Sequence, residues 1–390
     1  MRAVIVKDRQ QMAQLLNERM TRTYTTLSER QELEPDTSLV KTYLLEAHLP
    51  ESGKPAGSEA LAEVALAERT FGRVSRTRVH RADEPALLSV ETTVRNEHVV
   101  MYLDFTNPRY WLLHSMGSSN AMDWLIDRLV TASPELDRAW IPADLLERVS
   151  AMGSFRGLSL DYDRRVVPDV DFQSPAAPVE FLKMQLWGNK AGDILRILRE
   201  QEAFPHETTL AKVKVKFWLS GEVDGEFSLD DIKYDGKVTA RGTSFQSHIA
   251  LVSHVYEAYA QQIGKLEESY ALGAYESDGR LSLEGAPVNL LLDRPISNLE
   301  IFCESIFSCG EPFRLWGVPT RLAEDFYRVQ AIDLHVGSPL QFEIAPQFLR
   351  VYLPAGSCGN SVVRLYTNLQ HHYDSLIRAE EGDGRRVFEF

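Results

Sequence analysis

Cysteine is scarce in this chain of 390 residues: three occur, Cys303, Cys309 and Cys358. Isolated thiols build no disulfide framework, and the scattered histidines give no Cys/His zinc spacing, so a reducing compartment and no bound metal are expected. Long apolar runs are also lacking. None approaches the roughly 18–20 residues of a membrane helix, and the stretch before Lys7 is too short for a signal-peptide core. Cytoplasmic residence without a membrane contact is the expectation. Positive charge is in deficit, with 42 basic against 56 acidic side chains and a formal net charge of -14. That balance excludes a protein that coats nucleic acid over its whole surface. There is no phosphate-binding P-loop and no dinucleotide fingerprint, so nucleotide-driven work and a bound cofactor are not expected.

Against this acidic background two basic segments stand out. Residues 69–81 hold five arginines and His80 with no acid, and 212–216 alternate Lys212, Lys214 and Lys216 with Val213 and Val215. Alternation at period two reads as a strand with one cationic face. Trp218 falls on the lysine side, where a ring beside cations suits stacking of single-stranded bases. The candidate nucleic-acid-binding residues are Arg73, Arg76, Arg78, Arg81, Lys212, Lys214, Lys216, Trp218, Lys237 and Arg241. If they line one groove they hold a phosphate backbone with steep salt dependence. The competing reading is that both runs are solvated strand faces whose charge discourages edge pairing.

Three times a strand-rich stretch ends in glycine and a hydroxyl residue before a helix: Gly117-Ser118, Gly242-Thr243-Ser244 and Gly356-Ser357. Free N–H groups and the positive dipole end at a helix start can take a phosphate. Gly242, Thr243 and Ser244, next to Arg241, are the favoured candidates; ordinary helix capping is the alternative.

Catalytic signatures are weak. Gly356-Ser-Cys-Gly-Asn360 resembles the nucleophile segment of papain-like proteases over those five residues alone. The aromatic expected after the cysteine and a distant downstream histidine are missing, which argues against a catalytic Cys358. Asp224, Glu226, Asp230 and Asp231 near Lys233, with Asp169 upstream, sketch a metal-dependent nuclease with poor spacing. The expected fold is α+β, mostly antiparallel sheets packed against single amphipathic helices in two or three domains. These are 1–165, 166–278 and 279–390, the last either separate or one domain with the second. Asp8 with Gln11 marks a helix start, Asn120 caps a helix, and Asp235-Gly236 turns a hairpin. The helix over 246–270 carries an apolar stripe from Ile249 to Tyr270, and it or the C-terminal helix is the expected dock for a protein partner. The leading function is a non-catalytic nucleic-acid-backbone-binding subunit of a larger, bacterial-type cytosolic assembly. A protein–protein scaffold is the alternative and a nuclease the third choice.

Overall fold

The computed structural model describes residues 5–29, 38–48, 59, 61–63, 65–66, 77–169, 179–201, 206–219, 225–277, 280–382 and 384–388. The chain forms two compact units, each discontinuous in sequence. Met1–Ala139, Val149–Phe155 and Lys214–Glu257 make the first; Trp140–Arg148, Arg156–Val213 and Ala258–Phe390 make the second. The units therefore do not follow linear boundaries near 165 and 278. The physical reason is that sheet neighbours come from distant sequence.

The elements run α1 (Arg9–Ser28), β1 (Val40–Ala47), β2 (Arg78–Arg81), β3 (Leu87–Val94), β4 (Glu97–Asp104), β5 (Tyr110–Ser115), α2 (Ser119–Ala132) and β6 (Leu136–Arg138). Next come α3 (Ala143–Ser150), β7 (Ser154–Asp163), β8 (Phe181–Trp187), α4 (Ala191–Arg199), β9 (Leu210–Phe217), β10 (Ser228–Lys233), β11 (Lys237–Gly242) and α5 (Phe245–Lys265). The last third holds β12 (Gly273–Ser277), β13 (Arg280–Glu284), β14 (Val288–Leu291), α6 (Leu299–Ile306), β15 (Leu315–Ala323), β16 (Phe326–Asp333), β17 (Pro339–Ala345), β18 (Phe348–Tyr352), α7 (Asn360–His372) and β19 (Arg378–Glu380). Grouped antiparallel strands with single helices make the fold α+β.

In the first unit the strands lie in the order β2-β3-β4-β5-β1-β11-β10, with β9 from Lys214 onward beside β10 and β6 paired to β1. One face carries Tyr43, Leu45, Val90, Met101, Leu103, Trp111 and Leu113 and packs on Met122, Leu125, Ile126 and Leu129 of α2. The other carries Val40, Leu87, Tyr102 and Ala240 and packs on Met12, Leu16 and Met20 of α1 and on Phe245. Covered on both sides, β1 is buried along its whole length. Its polar side chains must then find internal partners. Lys41 donates to Ser38 Oγ and to the carbonyls of Leu39 and Gly117 at 2.6, 2.9 and 2.7 Å. Burial, then Lys237 nearby, pushes its amine down to about 8. Glu46 accepts from Arg109 at 2.7 Å.

Local signals behave as their chemistry requires. Asp8 caps α1 by accepting from Gln11 N at 2.7 Å. Asp235-Gly236 turns β10 into β11, with Gly236 at φ 75°, a conformation that favours glycine. Asn120 does not cap α2. Ser118 does, accepting from Ala121 N at 3.2 Å, because the helix already begins at Ser119.

In the second unit β7 pairs with β8, and β12 with β13. A six-stranded antiparallel sheet runs β15-β16-β17-β18-β14-β19. Its inner face takes α6 and α7: Phe307, just after α6, meets Phe342 edge-on, and Arg364 of α7 reaches Asp333 of β16. From Asn360 to His371, α7 is buried on every side, including Arg364, Asn368 and Gln370.

Candidate nucleic-acid interface

The predicted basic residues do not converge. Arg73 and Arg76 lie outside the described residues. In β2, cross-strand register puts Arg78 on the side of Glu91 and Arg81 on the side of Leu88, so the two arginines point to opposite faces. Arg81 is held by Glu59 and Glu63 at 3.1 and 2.6 Å. Seven strand spacings, roughly 33 Å, separate β2 from the part of β9 in the same unit.

On that part of β9, Lys214 is buried and pairs with Asp231 at 3.3 Å. The Lys216 amine sits 3.7 Å from the Phe227 ring centre and 5.0 Å from that of Trp218. Lys237, also buried, grips both carboxylate oxygens of Asp123 at 2.7 Å. By register Arg241 shares the face of Asp231. These cations are largely neutralised within the unit, and among the described residues they lie far from Arg78 and Arg81.

The helix starts are occupied by the protein's own acceptors. At Gly242-Thr243-Ser244 the N–H groups of Thr243 and Ser244 donate to Phe227 O at 2.8 and 3.0 Å. Phe245 N donates to Asn17 Oδ1 at 2.7 Å, and Ser247 N to Ser244 Oγ at 3.2 Å. Gly242 serves a close backbone approach: a Cβ there would lie 2.4 Å from Phe227 O, and φ is 142°. Replacing Gly242 with alanine should cost about 1–3 kcal/mol, measurable as a lowered chemical-denaturation midpoint. Ser118 N donates to Glu97 at 2.6 Å, and Gly359 N to Glu267 at 2.8 Å. A resident carboxylate thus takes the place a phosphate would need at both. At each of these helix starts, backbone N–H groups are already engaged by the protein's own acceptors.

The enzymatic sketches dissolve similarly. Cys358 is fully buried. Asp224 lies outside the described residues. Asp230 binds His248 at 2.6 Å, Asp231 binds Lys214, Lys233 binds Asp235 at 2.7 Å and Asp169 binds Arg164, so each described carboxylate except Glu226 is committed to a cation or ring nitrogen. The helix stripe expected to dock a partner is consumed inside the fold, with Val252, Tyr259, Ile263, Leu266 and Tyr270 buried. The buried α7 offers no docking face.

A different surface emerges in the second unit on β8. Its residues alternate exposed and half-buried, with Phe181, Lys183, Gln185 and Trp187 outward. Among the described residues only β7 pairs with it, in the register Asp163↔Phe181, Asp161↔Lys183, Ser159↔Gln185 and Gly157↔Trp187. Two large rings remain unusually open, Phe181 at 46% and Trp187 at 53% exposure. Each has a cation against it. The Arg165 guanidinium lies 5.0 Å from the Phe181 ring centre and the Lys212 amine 5.1 Å from that of Trp187. Gly157 makes room, since a Cβ there would be 2.7 Å from Trp187 Cε3. Asp163 fixes Arg165 through two 2.7 Å contacts, a hydrogen bond that also holds the Asp163 carboxyl below its ordinary range. Lys183 faces Asp161 at 3.7 Å. Among the described residues Lys212 and Arg156 have no acidic partner.

Sequence reasoning placed Lys212 but missed Phe181, Lys183 and Arg165. The alternation Phe181-x-Lys183-x-Gln185-x-Trp187 was the available signal, masked by the prolines that precede it. Six residue steps apart, the rings stand roughly 20 Å apart along the strand.

The chain thus presents an α+β protein with a cation-flanked aromatic strand face. It belongs to the family of MJECL33-like proteins, whose match runs over residues 1–388. The uncharacterized protein MJECL33 of Methanocaldococcus jannaschii is similar to it, 27% identical over 417 aligned positions covering 98% of this chain and 96% of that one.

Proposed function

We propose that the protein binds single-stranded nucleic acid, non-catalytically, through the outward face of β8 in its second unit. The observation that carries this reading is the pair of open rings, Phe181 and Trp187, each with a cation against it. Base stacking needs exposed π faces, and a phosphate backbone needs nearby positive charge without committed acids. Lys212, beside the Trp187 ring, meets the second requirement. The reading narrows the expected set: Lys212 remains, whereas Lys214, Lys237 and Arg81 are engaged with carboxylates. A place in a larger cytosolic assembly belongs to the same proposal.

Fluorescence anisotropy with labelled single-stranded DNA and RNA at two salt concentrations tests it. Trp187→Ala should weaken binding by about 1–3 kcal/mol, roughly 5- to 150-fold. Lys212→Ala should reduce the salt slope by about 0.7. Absence of binding at low salt, or affinity indifferent to Trp187, would sink the reading.

A further inference from the structure

We propose that a cavity in the second unit binds a small zwitterion, an α-amino acid with an apolar side chain. The proposal does not rest on the nucleic-acid reading, since the lining includes no residue of β8. The cavity measures about 270 Å³ and draws Asp144 and Glu147 from α3, Arg199 from α4, Tyr366 from α7, Asp293 from the segment after β14 and Arg386 from the segment after β19. Drug-sized sites run from roughly 300 to 1,000 Å³, so the occupant is smaller.

Most of the charge around the cavity is answered within the chain. Glu147 pairs with Arg199, Glu380 pairs with Arg378 at 3.3 Å, and Asp144 accepts from the Tyr366 hydroxyl at 2.8 Å. Two groups of opposite sign are left over. Among the described residues neither the Asp293 carboxylate nor the Arg386 guanidinium has a hydrogen-bond or ion-pair partner, and the two do not pair with each other. Both backbones are fixed: Asp293 N donates to Asp374 Oδ2 at 2.7 Å, and Arg386 is bridged to Glu380 beside Val387, whose N–H donates to Ala379 O at 2.9 Å. Burial raises the Asp144 carboxyl above its ordinary range despite the Tyr366 hydrogen bond and the nearby Arg386. A carboxyl so placed is a weak counter-ion for that arginine.

That arrangement selects the charge of the ligand. An anion alone gains Arg386 but meets Asp293 and Glu147, and a cation alone gains Asp293 but meets the guanidinium groups of Arg199, Arg378 and Arg386. A molecule carrying both charges gains both partners, which favours it over either half. Part of the wall is apolar, with Ile377 and Phe388 buried and Leu376 at 36% exposure. An aliphatic side chain against it is removed from water.

Isothermal titration calorimetry on the full chain, at neutral pH and low salt, tests this with L-leucine and its two halves: isocaproate, which keeps the carboxylate, and isoamylamine, which keeps the ammonium. L-Leucine is expected to bind saturably below about 1 mM, with each half at least about tenfold weaker. Asp293 and Arg386 are exposed, so their variants leave the fold intact. Arg386→Ala should weaken L-leucine about tenfold and remove its advantage over isoamylamine, whereas Asp293→Asn should remove its advantage over isocaproate. Absence of saturable L-leucine binding up to about 10 mM overturns the proposal. So does equal binding of either half by the unaltered chain, or an L-leucine affinity indifferent to both variants.

Discussion

Arg364→Ala is expected to destabilise the protein by about 3–5 kcal/mol, among the largest effects open to a single substitution. Arg364 and Asp333 are both completely inaccessible to solvent. The guanidinium donates from Nε to Phe313 O at 2.8 Å and from Nη2 to Asp333 Oδ1. Asp333 also accepts from the Ser361 hydroxyl and from His335 N at 3.1 Å. Removing the arginine leaves a carboxylate in the core with neutral donors alone, and an uncompensated buried charge costs more than the pair gains by meeting. Asp333→Ala should be comparably damaging. The double variant should cost less than the sum of the two, since it buries no orphan charge. Denaturant titration of the four species checks this, and strict additivity would contradict it.

The second large effect is acid sensitivity arising in the first unit. Thr42 of β1 stands directly across from His114 of β5, and its hydroxyl lies 2.9 Å from His114 Nδ1 and 2.7 Å from His248 Nε2. His248 Nδ1 is 2.6 Å from Asp230, which also accepts from Ser228 Oγ at 2.5 Å. This resembles a hydroxyl–histidine–carboxylate relay, yet every member is buried and no substrate can reach the hydroxyl. The relay is core structure. Burial, then repulsion by His248, pushes the His114 imidazole down to about 3 from 6.5. The unfolded chain therefore binds this proton first as pH falls. The stabilisation is fully present above 6.5 and drains as pH drops toward 3, by up to about 1.4 kcal/mol per pH unit. His114→Gln should flatten the stability profile between pH 6.5 and 4 by one proton. An unchanged slope would show that His114 takes up no proton on unfolding.

Much of the local structure was legible in the residues. Asp8 with Gln11, the Asp235-Gly236 turn and the alternation of Lys212–Lys216 each depend on neighbours within a few positions, and each forms as its chemistry dictates. The same is true of the α+β class, because period-two and helical spacing are properties of short windows. The helix stripe in α5 was legible as well, but not whether it would face the core or a partner.

Partnership of charges was not legible. Nothing near Lys214 or Lys237 in sequence announces Asp231 or Asp123, and nothing near Ser118 or Gly359 announces Glu97 or Glu267. These pairings join residues from 17 to 114 positions apart and turn apparent anion sites into closed caps and ion pairs. Phe181 and Trp187 were equally ambiguous, since an aromatic in a strand pattern is as consistent with core as with surface.

The sequence by itself determined that the protein is acidic, without a disulfide framework or a membrane-spanning helix, α+β, and carries two basic strand segments. Only the tertiary structure decided that Arg78 and Arg81 lie far from the lysine strand within a sheet and that Arg81, Lys214 and Lys237 are answered from within. It also left the outward face of β8 open. The physical reason is that composition and periodicity are local sums, whereas neutralisation and exposure depend on which distant strand becomes a neighbour.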